Sequence, residues 1–335
     1  MKTQIVYVVI SSDEDYFLEE LWASLFSLRL FHKTEKVLVL TDKETSYRIN
    51  ARQKLEELIT SIVVIDVPSE YDGMQRSRYI KTNIRNLIQG DFLFIDTDTI
   101  ICQNIDEKDF QNVDNIAMVP EMHGPFTSHF YYEITYKDVK RIFDENVSDA
   151  KYWFNSGCMF VRDNSLTKTF FSDWQKNWKY SAFTKGNSSD QRALLYTDSK
   201  YGYIIQRLPD VYNCQVAVSI QYLYSAKILH FWHMRARYTS DVNYSPFCNK
   251  EIYKQIRKDN GITTETSRII IDCKNSFSSP SMIIGKTQIN VLFSPFINIL
   301  GRAYIESWLW HKLFGFLIRV LSKYYRYKDR KKILI

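Results

Sequence analysis

Phe92-Leu93-Phe94-Ile95-Asp96-Thr97-Asp98-Thr99-Ile100 runs from an apolar tetrad straight into two carboxylates. Four consecutive apolar residues suit a strand buried on both faces, as in the middle of a parallel sheet. Side chains at i and i+2 share one face of a strand, so Asp96 and Asp98 are expected to project together from its end. Two hard oxygen ligands there suit a divalent cation carrying a phosphate or diphosphate. The triplet alone decides little, because Asp13-Glu14-Asp15 repeats its spacing.

Upstream of the triplet, apolar residues alternate between periods of two and 3.6, the pattern of an α/β chain winding a mostly parallel sheet flanked by helices. Residues 4–10 read as a first strand. Ser12 and Asp15 resemble a capping box ahead of a helix carrying Leu18, Leu21, Trp22, Leu25 and Leu28. A strand over 37–40, a charge-mixed helix over 44–59 and a strand over 62–67, stopped by Pro68, follow. Within 75–88, Ile80, Ile84, Leu87 and Ile88 form an apolar stripe flanked by Arg78, Lys81 and Arg85, with Gly90 as the stop. Such a basic stripe reads by itself as a solvated face. Because this helix leads into the carboxylate strand, one of its cations can serve the same diphosphate. Beyond a strand over 115–119, residues 121–150 read as an irregular stretch with His123, Phe126, Tyr131 and Tyr132, closing in a short helix. Long segments of this kind tend to select substrates.

With 335 residues, 45% of them apolar, the chain can bury one large core or two modest ones. Its net charge of +6 is concentrated at one end. From Arg302 to Lys332 nine basic residues face only Glu306 and Asp329, a local +7, so the remainder sums to about −1. A nearly neutral body argues against nucleic acid as a partner. The five cysteines are odd in number, widely spaced and without a C-x-x-C, which fits a reducing compartment better than a disulfide framework. The apolar run at residues 5–10 is too short for a signal peptide and meets Asp13, Glu14 and Asp15 directly.

The composition changes near Met282, which divides the chain into a domain over 1–281 and an extension over 282–335. There Ile297, Leu300, Tyr304, Trp308, Leu313, Leu317, Val320, Leu321 and Tyr324 interleave with Arg302, Lys312, Arg319, Lys323 and Arg326. No stretch of eighteen uncharged apolar residues occurs, so the extension does not read as a bilayer span. A cationic, aromatic amphipathic helix can lie in the headgroup plane of an anionic membrane surface. The other reading packs it on the protein's own core or on another subunit.

Three later segments join the carboxylate strand: Phe154-Asn155-Ser156-Gly157, read as a polar turn entering an apolar strand; Asp190-Gln191; and Ile228-Leu229-His230-Phe231. In this order, over roughly residues 3–235, the four resemble the glycosyltransferases of family 8, which use the GT-A fold. The resemblance implies a GT-A-type mixed, mostly parallel sheet flanked by helices, which the C-terminal amphipathic helical extension read above then follows. It also implies retaining transfer of a hexose from a UDP-sugar to a glycan or lipid-linked glycan, as in surface polysaccharide or lipopolysaccharide synthesis. The cysteine pattern and the basic aromatic extension add the expected setting: cytoplasmic, peripheral on the inner face of the cell membrane.

In the family's pattern Asp96, Asp98 and His230 would hold Mn2+, with Mg2+ also acceptable; an imidazole among carboxylates moves preference towards Mn2+. Lys81, or else Arg78, would meet the diphosphate, Asp13 and Tyr16 the base and ribose, and Asn155 the sugar. Asp190 and Gln191 would lie beneath the anomeric carbon. The chain departs from the pattern after His230, reading Phe231-Trp232-His233-Met234-Arg235-Ala236-Arg237 where the family often has a Gly and a K-P-W segment. Arg235 or Arg237 could replace the missing cation, and His233 could replace His230 as ligand. Two other classes start from the same residues. One is a haloacid-dehalogenase-like phosphatase with Asp96 as nucleophile, which the preceding three strands oppose; the other is a non-catalytic nucleotide-sugar-binding subunit.

Overall fold

The computed structural model of the chain describes residues 2–129, 131–216, 222–231, 245–248, 250–276 and 295–332. Contacts divide it into two units, Met1–Ser278 and Ser279–Ile335. In the first, a seven-stranded sheet carries β1 (Gln4–Val8), β2 (Val37–Thr41), β3 (Ser61–Val64), β4 (Phe92–Ile95), β6 (Ile116–Pro120), β7 (Phe154–Val161) and β8 (Ile205–Arg207), in the order β3-β2-β1-β4-β7-β6-β8. All neighbouring pairs are parallel except those of β7, which runs antiparallel to both β4 and β6. A small second sheet joins β5 (Thr99–Ile101), β10 (Ile228–His230) and β9 (Cys214–Gln215).

The strand sequences build both cores at once. Ile5, Tyr7, Val37, Val39, Leu93 and Ile95 enter one, while Val6, Val8, Leu38, Leu40, Phe92 and Phe94 enter the other. That alternation is the period-two rule acting on runs with no polar face, and it requires helices on both sides. Helix α1 (Phe17–Phe31) covers the first face with Leu18, Leu21, Trp22, Leu25 and Leu28, all buried. The second face takes Ile80 of α4 (Gly73–Lys81), Ile84 of α5 (Ile84–Leu87) and Phe170, Phe171, Trp174 and Trp178 of α7 (Ser165–Lys179). Burying a side chain of this size stabilises by about 1.5–3 kcal/mol.

Several local expectations are corrected. The helix expected over 44–59 is two, Lys43–Asn50 and Gln53–Glu56, and the one expected over 75–88 divides into α4 and α5. Thr82 caps α4 and Asn83 precedes α5, short polar residues that compete for backbone bonds. Ser12 does not cap α1, which starts at Phe17; Asp15 is the hub instead, accepting from the Ser12 amide at 2.7 Å and the Phe17 amide at 3.1 Å. Residues 121–150 are more regular than expected, with helix α6 spanning Tyr132–Phe143. Phe154-Asn155-Ser156-Gly157 is no turn but the buried start of β7.

The second unit contains the helices Pro295–Glu306 and Trp308–Lys332. Trp308, Leu309, Trp310, Leu313, Phe316, Leu317 and Val320 are all exposed, and Lys312 lies 4.0 Å from the Trp308 ring centre. No helix among the described residues is long and apolar enough to cross a membrane.

Candidate functional site

Strand β4 ends at Ile95, so Asp96 and Asp98 sit in the turn to β5 and not in the strand. Their common direction comes from backbone clamps instead of pleat. The Asp96 amide donates to the Gly157 carbonyl at 2.8 Å, the Thr99 hydroxyl to the Asp96 carbonyl at 2.8 Å, and the Phe231 amide to the Asp98 carbonyl at 3.0 Å. Because β5 pairs with β10 in the register Thr99 to His230, the imidazole is carried to the same place. One ligand atom each from Asp96, Asp98 and His230 falls within 4.8 Å of the others. His230 Nε2 is 3.1 Å from Asp98 Oδ1. Burial opposes a charged imidazole there, but the Asp98 carboxylate outweighs it and raises the His230 pKa.

This donor set fits a divalent cation. A Cβ at Gly157 would lie inside contact distance of the His230 ring, 2.8 Å from Asn155 Oδ1 and 3.0 Å from Asp96 Oδ2. Gly157 therefore keeps open the space between His230 and Asp96, two of the three ligands.

The basic stripe is not a solvated face. Lys81 is buried, bonding Asp96 at 2.9 Å with its ammonium 4.9 Å from the Phe94 ring centre, and Arg78 Nε pairs with Asp190 at 3.0 Å. Arg85 turns elsewhere: fully buried, it binds the carbonyls of Gly90 and Ile88 and pairs with Asp163. Two of the three cations thus face the site.

Asp190 opens helix α8 (Asp190–Lys200) and is buried, accepting from the Ser156 hydroxyl at 2.9 Å as well as from Arg78. Burial opposes its ionisation, yet Arg78 and Lys81 hold its carboxyl below the ordinary carboxylate range. Gln191 spends its amide hydrogens on Glu121 at 2.5 Å and on the Phe154 carbonyl at 3.3 Å. Asn155 is buried and donates to Glu121 at 2.9 Å while accepting from the Gly157 amide and from Asn213, both at 2.8 Å.

A cavity of about 500 Å3 adjoins Asp96 and Asp98, lined also by Ser11, Ser12, Asp15, Gly73 and Arg78. The carboxylate that the loop after β1 presents to it is Asp15. Asp13 faces solvent and pairs with Arg48. Tyr16 is partly buried, its ring 4.2 Å from the Arg257 guanidinium. His233, Arg235 and Arg237 lie outside the described residues.

Glu121 and Asn213 escaped the sequence reading. Glu121 directly follows β6 as Asp96 follows β4, and an acid at the end of an apolar parallel strand was the available signal. Met122 and His123 after it are both left-handed, at φ 57° and 60°, and the Met122 amide is held by Gln215 at 2.8 Å. Burial raises the Glu121 pKa against the pull of its two amide partners. Asn213 is an isolated polar residue after a short turn, and nothing in its sequence neighbours marks it.

No protein-family pattern matches the sequence, and no curated protein matches it either. Solved structures do match. An active-site mutant of LgtC superposes with a TM-score of 0.51 at 13% identity, covering 78% of this chain and 98% of that one. The galactosyltransferase LgtC in complex with donor and acceptor sugar analogues gives 0.49 at 14% identity over 83% and 97% of the two chains. Mouse xyloside xylosyltransferase 1, in its apo form, gives 0.45 at 14% identity over 68% and 97%. The first of these likenesses shows the fold: a GT-A-type α/β domain with a central, mostly parallel sheet flanked by helices.

Proposed function

We propose that this GT-A-type chain is a metal-dependent retaining glycosyltransferase of the family 8 kind, moving a hexose from a UDP-sugar to a glycan or lipid-linked glycan. The observation that carries the reading is the convergence of Asp96, Asp98 and His230 beside a cavity of about 500 Å3 on this fold. Asp96, Asp98 and His230 would hold Mn2+, or Mg2+ in its place. The bound ion would supply Lewis-acid neutralisation of the diphosphate leaving group.

The chain's own residues account for the rest. Lys81 and Arg78 place positive charge beside the diphosphate, and the loop of Ser11, Ser12 and Asp15 borders the nucleoside. Asn155, fixed by three hydrogen bonds, orients the sugar. With both amide hydrogens engaged, Gln191 keeps its carbonyl oxygen for positive charge developing at the anomeric carbon, and ionised Asp190 adds a field of the same sign. An amide is a poor nucleophile, so the acceptor attacks from the face that UDP leaves. The exposed aromatic and basic helix Trp308–Lys332 would hold the enzyme on anionic lipid, peripheral to the inner face of the membrane.

The test is UDP release from a panel of UDP-sugars with Mn2+ or with chelator, beside a generic phosphatase substrate. Manganese-dependent release lost in Asp96→Asn and Asp98→Asn is expected. Phosphate release that depends on Asp96, without turnover of any UDP-sugar, would sink the reading in favour of the phosphatase class.

A further inference from the structure

The Sγ atoms of Cys102 and Cys273 lie 3.4 Å apart although 171 residues separate them. Cys102 follows β5, and its amide donates to the Lys227 carbonyl at 2.8 Å. Cys273 follows helix α10 (Thr264–Ile271), which sits beside α9 (Glu251–Asp259). The contact therefore sets a thiol of the strand that continues from Asp98 against a thiol of the α9–α10 pair.

We propose that Cys102 and Cys273 form a reversible disulfide in the folded protein, made by thiol exchange with a small-molecule disulfide of the glutathione class. Bond formation needs the sulfurs to close by roughly 1.4 Å to the usual S–S length of about 2.05 Å. The two thiols differ in access, which sets the order of events. Cys102 is partly exposed and Cys273 is buried, so Cys102 reacts first with the small disulfide and Cys273 resolves. The hydrogen bond from Cys273, helped by the charge of Lys274, also lowers the Cys102 pKa and favours its thiolate. Cys158, Cys214 and Cys273 are all buried with thiols pushed upward, Cys214 to about 12; what sets Cys273 apart is its sulfur lying against that of Cys102, so that it can act once Cys102 carries the mixed disulfide.

In the first step the Cys102 thiolate attacks one sulfur of the small disulfide, forming a mixed disulfide and expelling one thiolate. The Cys273 thiolate then attacks the Cys102 sulfur, forming the protein disulfide and expelling the second thiolate. The two protein thiol protons end on the two small thiols, and two electrons pass from protein to reagent. The new bond ties the α9–α10 pair to β5. Helix α9 supplies Arg257, which binds Glu19 at 2.7 Å and the carbonyls of Asp13 and Asp15, so the bond reaches the loop bordering the cavity.

The experiment exposes the full chain to a reduced-to-oxidised glutathione series and counts thiols after denaturation. We expect a fall from five thiols to three, a linked Cys102–Cys273 peptide on digestion, recovery of all five with dithiothreitol, and a melting temperature higher by roughly 5 °C in the oxidised form. In Cys273→Ser a glutathione adduct accumulates on Cys102, and in Cys102→Ser no adduct forms on Cys273. Five thiols remaining under a large excess of oxidised glutathione, or a linkage through any other cysteine, overturns the proposal.

Discussion

His230 Nδ1 donates to Asn213 Oδ1 at 2.9 Å, and backbone geometry two residues along the network fixes the direction of that bond. The Gly157 amide can only donate, so the Asn155 atom facing it is the carbonyl oxygen. That oxygen also accepts from Asn213, which turns the Asn213 amide nitrogen towards Asn155 and its oxygen towards His230. His230 must therefore carry a proton on Nδ1, and its Nε2, 3.1 Å from Asp98, is the end that can offer a lone pair to a cation.

Removing this lock should weaken the cation site without unfolding the protein. In Asn213→Leu both imidazole tautomers become available, and Mn2+ affinity is expected to fall about 10- to 100-fold. Electron paramagnetic titration of free Mn2+ measures it directly. Affinity equal to that of the unmodified chain would show that Asn213 does not orient the ligand.

Gly157→Ala is expected to be far more damaging than glycine-to-alanine changes usually are. Its Cβ meets His230, Asn155 Oδ1 and Asp96 Oδ2 together, in a strand buried along its whole length. UDP release should fall at least about 100-fold, with a destabilisation of about 1–3 kcal/mol from overpacking. Turnover and a urea melt check the two parts separately, and near-normal turnover would mean that the space Gly157 leaves beside His230 and Asp96 is not needed.

How far the sequence carried depended on whether a signal was local. Apolar runs such as Phe92–Ile95 and the stripe from Leu18 to Leu28 announced sheet and helix because burial follows backbone period. The site was partly legible for the same reason, since Asp96 directly follows one apolar strand and His230 ends another. What stayed hidden arises from pairing between distant segments. The Asp96–Asp98 turn takes its shape from Gly157 and Phe231, and Asn213 gains its role only through neighbours 58 and 17 residues away. Arg85 shows the converse error: its helical spacing from Lys81 suggested a shared face, but the break after Lys81 sends it to the carbonyls of Ile88 and Gly90.

Asp198 sets a pH-dependent stability unrelated to the site. Burial raises its pKa from 3.8 to about 7, although Oδ1 accepts from the Ile205 amide at 3.1 Å. Between those two values the folded state binds more protons than the unfolded one, so stability falls as pH rises from about 4 to 7 and stays low above. Asp198→Asn keeps an oxygen for Ile205 and removes the charge. It should be more stable than the unmodified protein by about 1–3 kcal/mol at pH 8, with little difference at pH 4, in urea melts. A gain of equal size at both pH values would point to packing instead of charge.

The exposed apolar residues of the helix Trp308–Lys332 lead to the last expectation. Trp308, Trp310 and Phe316 are exposed on a helix that also carries Lys312 and Arg319, a combination suited to the headgroup region of anionic lipid. In the full chain, Trp308→Ser, Trp310→Ser and Phe316→Ser combined with Arg319→Glu should cut sedimentation with phosphatidylserine vesicles more than tenfold, since each basic residue near such a surface contributes about 1 kcal/mol and the apolar side chains add to it. UDP release with a water-soluble acceptor should not change. The opposing idea, that this helix packs against another subunit, predicts a different result: vesicle binding unaltered and a change of mass in sedimentation equilibrium. Observing that pair of outcomes would remove lipid from the account and leave a second copy of the chain as the partner.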